Sequence, residues 1–199
     1  MSEVTRRPYH HGDLHRVLIE TALELLQEQG SWQFNLREVA RRAGVSHAAP
    51  YRHFSDKAAL LTELALSGFE HLGTALSAAM VRENPVRQQF LAAAQAYVAF
   101  AEANPALYRL MFSADAGTRA DVHLSQRAMD AFGVVLTLLE RGQQEGTFKL
   151  RPLQGQATAC WAEVHGLALL AIDGLLLPEK VGNKPVPAAL DILLEGLEA

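Results

Sequence analysis

The chain has 199 residues, 49% of them hydrophobic and 20% charged, ordinary composition for one large globular domain or two small ones. Its single cysteine, Cys160, excludes an internal disulfide and fits a reducing compartment. The opening MSEVTRRPYHHGDLHR lacks the apolar stretch of a signal peptide, and the longest apolar run, GLALLAIDGLLL, is too short for a membrane span and carries Asp173; a soluble cytoplasmic protein is expected.

In chain order the signals are helical. Leu14, Leu18, Ala22, Leu25 and Leu26 recur at intervals of three and four, one buried helix face. Asp13 is placed to cap that helix and Gly30 to end it. Asn35 caps a second helix, with Glu38 at the capping-box position, and Leu36, Val39, Ala40 and Ala43 form its apolar face up to Gly44. Ser46 is the expected N-cap of a third helix of about two turns. A fourth is expected from Ser55, with Leu60, Leu61, Leu64, Phe69, Leu72 and Leu76 along it. Two Asn-Pro pairs, 84–85 and 104–105, each place a capping Asn before a Pro at the first helical position. A helix from about 120 to 142, a loop EGTFKLRPLQG, an apolar helix from about 153 to 177 and a last helix with Val186, Leu190, Leu193, Leu194 and Leu197 complete the chain. About nine helices and no clear repeat make the fold all-α.

The net charge of −4 hides an asymmetry. Residues 1–57 carry eight Lys/Arg against seven Asp/Glu, and residues 58–199 carry ten against fifteen. Within 37–57 the count is five basic against two acidic, with His47 and His53 in addition. A basic patch near one end of an acidic body suits a nucleic-acid reader, and also an ordinary solvated helix face.

The segment REVARRAGVSHAAPYRHF has the layout of a helix-turn-helix, whose second helix enters the major groove with its N-terminal residues at the base edges. His47 suits a base edge or phosphate; Ala48 and Ala49 are small enough for close backbone approach and contact with a thymine methyl. Tyr51, His53 and Lys57 suit phosphates. Pro50, the fourth residue of the expected helix, removes only its first hydrogen bond.

FNLREVARRAGVSHAAPYRHFSDKAALL resembles the DNA-binding signature of the tetracycline-repressor (TetR) family through its VARRAGVS turn, its YRHF ending and Lys57, over roughly residues 8 to 62. CWAEVHGLALLAIDGLL resembles a C-terminal domain of one branch of that family known for a Trp-His-Gly motif, here Trp161, His165 and Gly166, with PALYRLMF upstream also in character. Asn35 stands where threonine is more usual. The resemblance implies a homodimeric repressor, with residues 1–57 as arm and helix-turn-helix domain and 58–199 as a helical effector-binding and dimerisation domain. It implies double-stranded DNA with a palindromic operator as partner. Arg37 becomes a base-contact candidate and Ser46, Tyr51, His53 and Lys57 phosphate contacts; Arg52 joins this set, and His47, Ala48 and Ala49 face the groove.

Other groups have plainer readings beside functional ones. Arg6, Arg7, His10, His11 and His15 form either a DNA-contacting arm or a frayed terminus. His11 and His15 have a metal-ligand spacing but no Glu or Cys beside them, so no metal is expected. Trp161 and His165, four apart, either line a pocket or pack in a core or dimer contact; Gly166, costly inside a helix, favours packing through a close helix approach. No catalytic signature is present; Asp115, Asp121, His123 and Asp130 fit a solvated helix face, so neither an enzyme nor a cofactor is expected. A small, largely apolar effector is expected among Phe69, Leu72, Tyr97, Phe100, Met111, Phe112 and Phe132, with Trp161 and His165 beside them, although all could be plain core. Dimerisation is expected through the last two helices. The competing functions are an architectural DNA-binding protein without effector and a helical small-molecule carrier or enzyme with a degenerate helix-turn-helix.

Overall fold

The computed structural model describes residues 14–117 and 119–199. The expected Asp13 cap and the basic arm of Arg6, Arg7, His10 and His11 lie outside the described residues. Among the described residues ten α-helices follow one another: α1 Leu14–Gln29, α2 Leu36–Arg42, α3 Lys57–Ala79, α4 Val86–Ala103, α5 Pro105–Met111, α6 Arg119–His123, α7 Gln126–Gln144, α8 Leu153–Ile172, the single turn α9 Pro178–Val181, and α10 Pro185–Leu197. Two 3-10 turns lie at Pro50–Arg52 and Ala114–Ala116. The fold is all-α; the one β-type pairing among the described residues is an isolated bridge between Phe148 and Glu198.

α1 forms where its apolar stripe dictates. Leu18, Ala22, Leu25 and Leu26 are buried, and Gly30 ends the helix at φ +64°, a left-handed conformation that glycine adopts without penalty. Asn35 caps α2 by accepting from the Glu38 N–H at 3.0 Å. The Glu38 carboxylate does not reach back; it accepts from Gln29 Nε2 at 3.1 Å, tying α2 to the end of α1.

α3 is the backbone of the molecule. Its 23 residues span about 34 Å at 1.5 Å per residue. Asp56, not Ser55, caps it, accepting from the Ala59 N–H at 2.9 Å. Leu60, Leu61 and Leu64 near its start share one continuous core with Leu18, Leu26, Phe34 and Phe54. Farther along, α3 packs on α4, α5 and α7. The core therefore passes without interruption from the N-terminal helices into the body.

Several boundaries differ from expectation. Pro85 itself stands at the cap of α4, because the chain before it is still turning. Asn104 precedes Pro105 as expected, but its side chain donates back to the Phe100 carbonyl at 3.0 Å. The expected helix 120–142 is broken at Leu124–Ser125, where the Ser125 hydroxyl accepts from Ala128 N–H and starts α7 afresh. α7 runs past Gly142, which lies against the buried Phe148 ring where a Cβ would collide. α8 stops at Ile172, five residues earlier than expected. In the last helix Leu190, Leu194 and Leu197 are buried inside the protomer, where α10 packs on α4 and α8.

Candidate DNA interface and ligand cavity

The expected two-turn third helix is not formed. The Ser46 carbonyl accepts from Ala49 N–H at 2.9 Å, and one 3-10 turn follows, with Pro50 as its first residue. The proline is placed where its fixed φ suits the start of a helical turn and no N–H is needed. Its carbonyl accepts from the N–H groups of His53 and Phe54, both at 2.9 Å. Ala49 and Pro50 face inward and are buried, and Ala49 is only 9% exposed. Ala49, expected at the groove, is thus largely covered, lying beside Leu14, Val45 and Arg52.

Arg37, Ser46, His47, Ala48, Tyr51, Arg52 and His53 are exposed and Lys57 half-buried. They come from α2, the turn, the 3-10 segment and the first residue of α3. Arg42 pairs with Glu28 on α1, whereas Arg37, Arg52 and Lys57 have no hydrogen-bond or ion-pair partner among the described residues. His15, on α1, stacks on Phe54 with ring centres 5.1 Å apart and lies 5.7 Å from His53.

In the body, α3, α4, α7 and α8 enclose a cavity of about 290 Å³. Phe69, Leu72, Tyr97, Phe112, Phe132 and Trp161 line it, as do Phe90, His123, Met129, Cys160 and Val164. Met129 and Trp161 are 45% and 40% exposed, which puts them at its rim. Three residues expected here lie outside the lining: Phe100 and Met111 are buried core, and His165 is the third. Met111 is drawn instead against Gly68, where α5 packs on α3. His165 stands behind the wall, its ring 4.4 Å from Phe112 and 5.9 Å from Trp161.

His123 was expected on a solvated face. The break before α7 turns it inward, 5.4 Å from both Phe69 and Phe112. No sequence signal announced it, because its inward position depends on a helix break whose only mark is Ser125. The Tyr108 hydroxyl lies 2.6 Å from His165 Nδ1 and 3.0 Å from the Tyr97 hydroxyl. Burial, and secondarily the His123 charge, hold the His165 pKa below the ordinary imidazole value. Burial raises Tyr97 and Tyr108 above the phenol range and pushes the Cys160 thiol up to about 12. These groups are neutral at pH 7 and offer hydrogen bonds, not charge.

Residues 18–64 match the description "Bacterial regulatory proteins, tetR family", and residues 90–195, more than half the chain, match "Tetracyclin repressor-like, C-terminal domain". The chain belongs to the TetR family. A solved structure of a protein of unknown function from Rhodococcus sp. RHA1 is 36% identical, covers 98% of this chain and 100% of its own, and superimposes with a TM-score of 0.83. Among curated relatives, the nucleoid occlusion factor SlmA of Marinomonas sp. is 29% identical over 70% of this chain and 72% of its own length. The transcriptional activator FasR of Mycolicibacterium smegmatis is 31% identical over 53% of this chain and 48% of its own. As a TetR-family protein the chain is a DNA-binding transcriptional regulator. The N-terminal match ends within α3, and the C-terminal match begins in α4 at Phe90, on the cavity wall.

TetR-family regulators bind DNA and form dimers, and they are generally not enzymes. No helix among the described residues is long and apolar enough to cross a membrane. α8 leaves Ala159, Ala162 and Leu170 exposed, and α10 leaves Ala188 and Ile192. The close approach expected at Gly166 is absent from the protomer: nothing lies within 4 Å of where a Cβ would stand.

Proposed function

We propose that this regulator is a cytoplasmic repressor that binds a palindromic operator as a homodimer and leaves it when a small, largely apolar molecule enters the cavity. One observation carries the reading. The cavity presses on Phe69 and Leu72 of α3, the helix whose first turn completes the DNA-binding unit. Recognition elements of a dimer must stand about one helical turn of DNA apart, roughly 34–36 Å, so a tilt of α3 alters that spacing. A ligand shifts the balance only by its preference for the tilted state, and a coupling of about 1–3 kcal/mol lowers operator affinity about 5- to 150-fold.

On DNA, Arg37, His47 and Ala48 face base edges, and Ser46, Tyr51, Arg52, His53 and Lys57 hold phosphates. The dimer forms through α8 and α10. The leucines of α10 are spent inside the protomer, so the partner meets the smaller face of Ala159, Ala162, Gly166 and Leu170 with Ala188 and Ile192. A glycine that nothing in the protomer requires fits a helix arriving from outside.

The alternative is an architectural DNA-binding protein without effector, to which the name of the nucleoid occlusion relatives lends weight. An apolar cavity against α3 has no purpose in that role. Footprinting on DNA flanking the protein's own gene separates the two. A protected palindrome supports regulation; equally tight binding to any sequence rejects it.

A further inference from the structure

The cavity has a distinct chemical polarity. None of its lining residues is Asp, Glu, Lys or Arg. A cation would lose its hydration there and meet no counter-charge, and an anion would find only the His123 imidazole. Its walls are ring faces and edges: Phe69 and Phe112 meet edge-on at 5.7 Å, and Phe132 meets Trp161 at 6.1 Å. About 290 Å³ corresponds to roughly ten water volumes, room for a flat two-ring molecule.

The cavity's polar groups are the His123 imidazole, the Cys160 thiol, the Trp161 indole N–H and the Tyr97 hydroxyl, and the last of these is tied into a buried network. The Tyr97 hydroxyl is one end of a chain that runs through Tyr108, fully buried and outside the lining, to His165 Nδ1. Proton counting shows what the chain leaves over. Two phenols and a neutral imidazole hold three hydrogen-bonding protons. The contacts Tyr97–Tyr108 and Tyr108–His165 consume two; the Tyr97 oxygen also lies 3.5 Å from His165 Nδ1 and accepts from the Trp161 indole N–H, which uses none of the three. With the imidazole proton on Nδ1, His165 donates to Tyr108, Tyr108 donates to Tyr97, and the third proton, on Tyr97, is left over beside the cavity. With the proton on Nε2 the chain runs the other way, and the third proton stays on the far side of His165. An acceptor atom placed in the cavity selects the first arrangement.

Resting on the reading of this cavity as the effector site, we propose that it selects an uncharged aromatic ligand bearing one hydrogen-bond acceptor, and that the Tyr97 hydroxyl reads that acceptor. Tyr97 is thus the specificity-determining residue, and Tyr108 and His165 are positioning residues that aim its proton.

Four probes of one shape test this: acetylnaphthalene, ethylnaphthalene, naphthoate and trimethylnaphthylammonium. Dissociation constants are measured by calorimetry on the full chain, wild type and Tyr97→Phe. The ketone is expected to bind about fivefold tighter than the hydrocarbon, with both ions weakest. Tyr97→Phe should erase the ketone's advantage and leave the hydrocarbon unchanged. The infrared carbonyl stretch of ketone bound to wild type should lie below its value in hexane, a readout that needs no variant. A charged probe binding tightest, an unshifted carbonyl, or an advantage that survives Tyr97→Phe overturns the proposal while leaving the cavity as a ligand site. Failure of all four to bind wild type overturns the effector-site reading itself, and the proposal with it.

Discussion

The indole N–H of Trp32 donates to Asp115 Oδ2 at 2.9 Å, joining the loop between α1 and α2 to the 3-10 turn after α5. One residue on, the Ala116 carbonyl accepts from the Thr62 hydroxyl of α3 at 2.7 Å. Phe112 and His123, on either side of this turn, both line the cavity. These two residues meet the cavity, while Asp115 and Ala116 between them hold Trp32 and Thr62 of the N-terminal unit.

Trp32→Phe keeps the ring and removes the N–H. Operator affinity without ligand should change little, because the bond is exposed and worth about 1 kcal/mol at most. The ratio of operator affinities with and without a releasing ligand should shrink. Fluorescence anisotropy on labelled operator measures both, and an unchanged ratio places the coupling elsewhere.

His47→Ala and Arg37→Ala should each relax base preference by about 1–3 kcal/mol at one operator position. Lys57→Ala should weaken all sequences alike and lower the salt slope by about one. Ala49→Leu should behave differently again, because Ala49 is buried. It should lower stability by about 1–3 kcal/mol through overpacking, seen as a reduced melting temperature. Binding assays across operator variants separate the three classes; a changed base preference in Lys57→Ala would reassign that residue.

Gly166→Trp or Ile192→Arg should yield monomers on size-exclusion chromatography with helicity retained, since both positions are open in the protomer. A persisting dimer would move the interface away from α8 and α10.

The lowered pKa of His165 has a signed consequence. The folded state resists protonating this ring, whereas the unfolded chain takes up the proton near pH 6.5. Between that value and the lower folded pKa, the unfolded state holds more protons, so stability falls as pH falls. Above about pH 6.5 the group contributes no slope. His165→Asn should flatten that part of the stability profile, measured by urea unfolding from pH 7.5 to 5. An equally steep profile would assign the slope to other groups.

Much of the fold was legible in the sequence because burial repeats along a helix. Leu18, Ala22, Leu25 and Leu26 announce α1 at the helical period, and Gly30 announces its end. The stretch VARRAGVSHAAPYRHF carried the DNA-binding unit. What failed was local geometry that a neighbour decides. Gly142 resembled a helix terminator, yet it is a seat for Phe148, and the true stop is Gly146 at φ +71°. Ser46 suggested the N-cap of a two-turn helix, while Pro50 starts a single 3-10 turn in its place. Of the expected cavity residues, Phe69, Tyr97 and Trp161 reach it and Phe100 and Met111 do not; one aromatic residue looks like another until the packing of α5 on α3 is known.

The inward turn of Ala49 and Pro50 sets how such a regulator acquires new targets. His47 and Ala48, just before the buried pair, are exposed and neither supports the core. Drift at those two positions comes at almost no cost to folding, and under the proposed contacts it changes operator choice. The buried residues behind them hold the frame constant, so gene duplicates can part company on DNA long before they diverge as folded molecules.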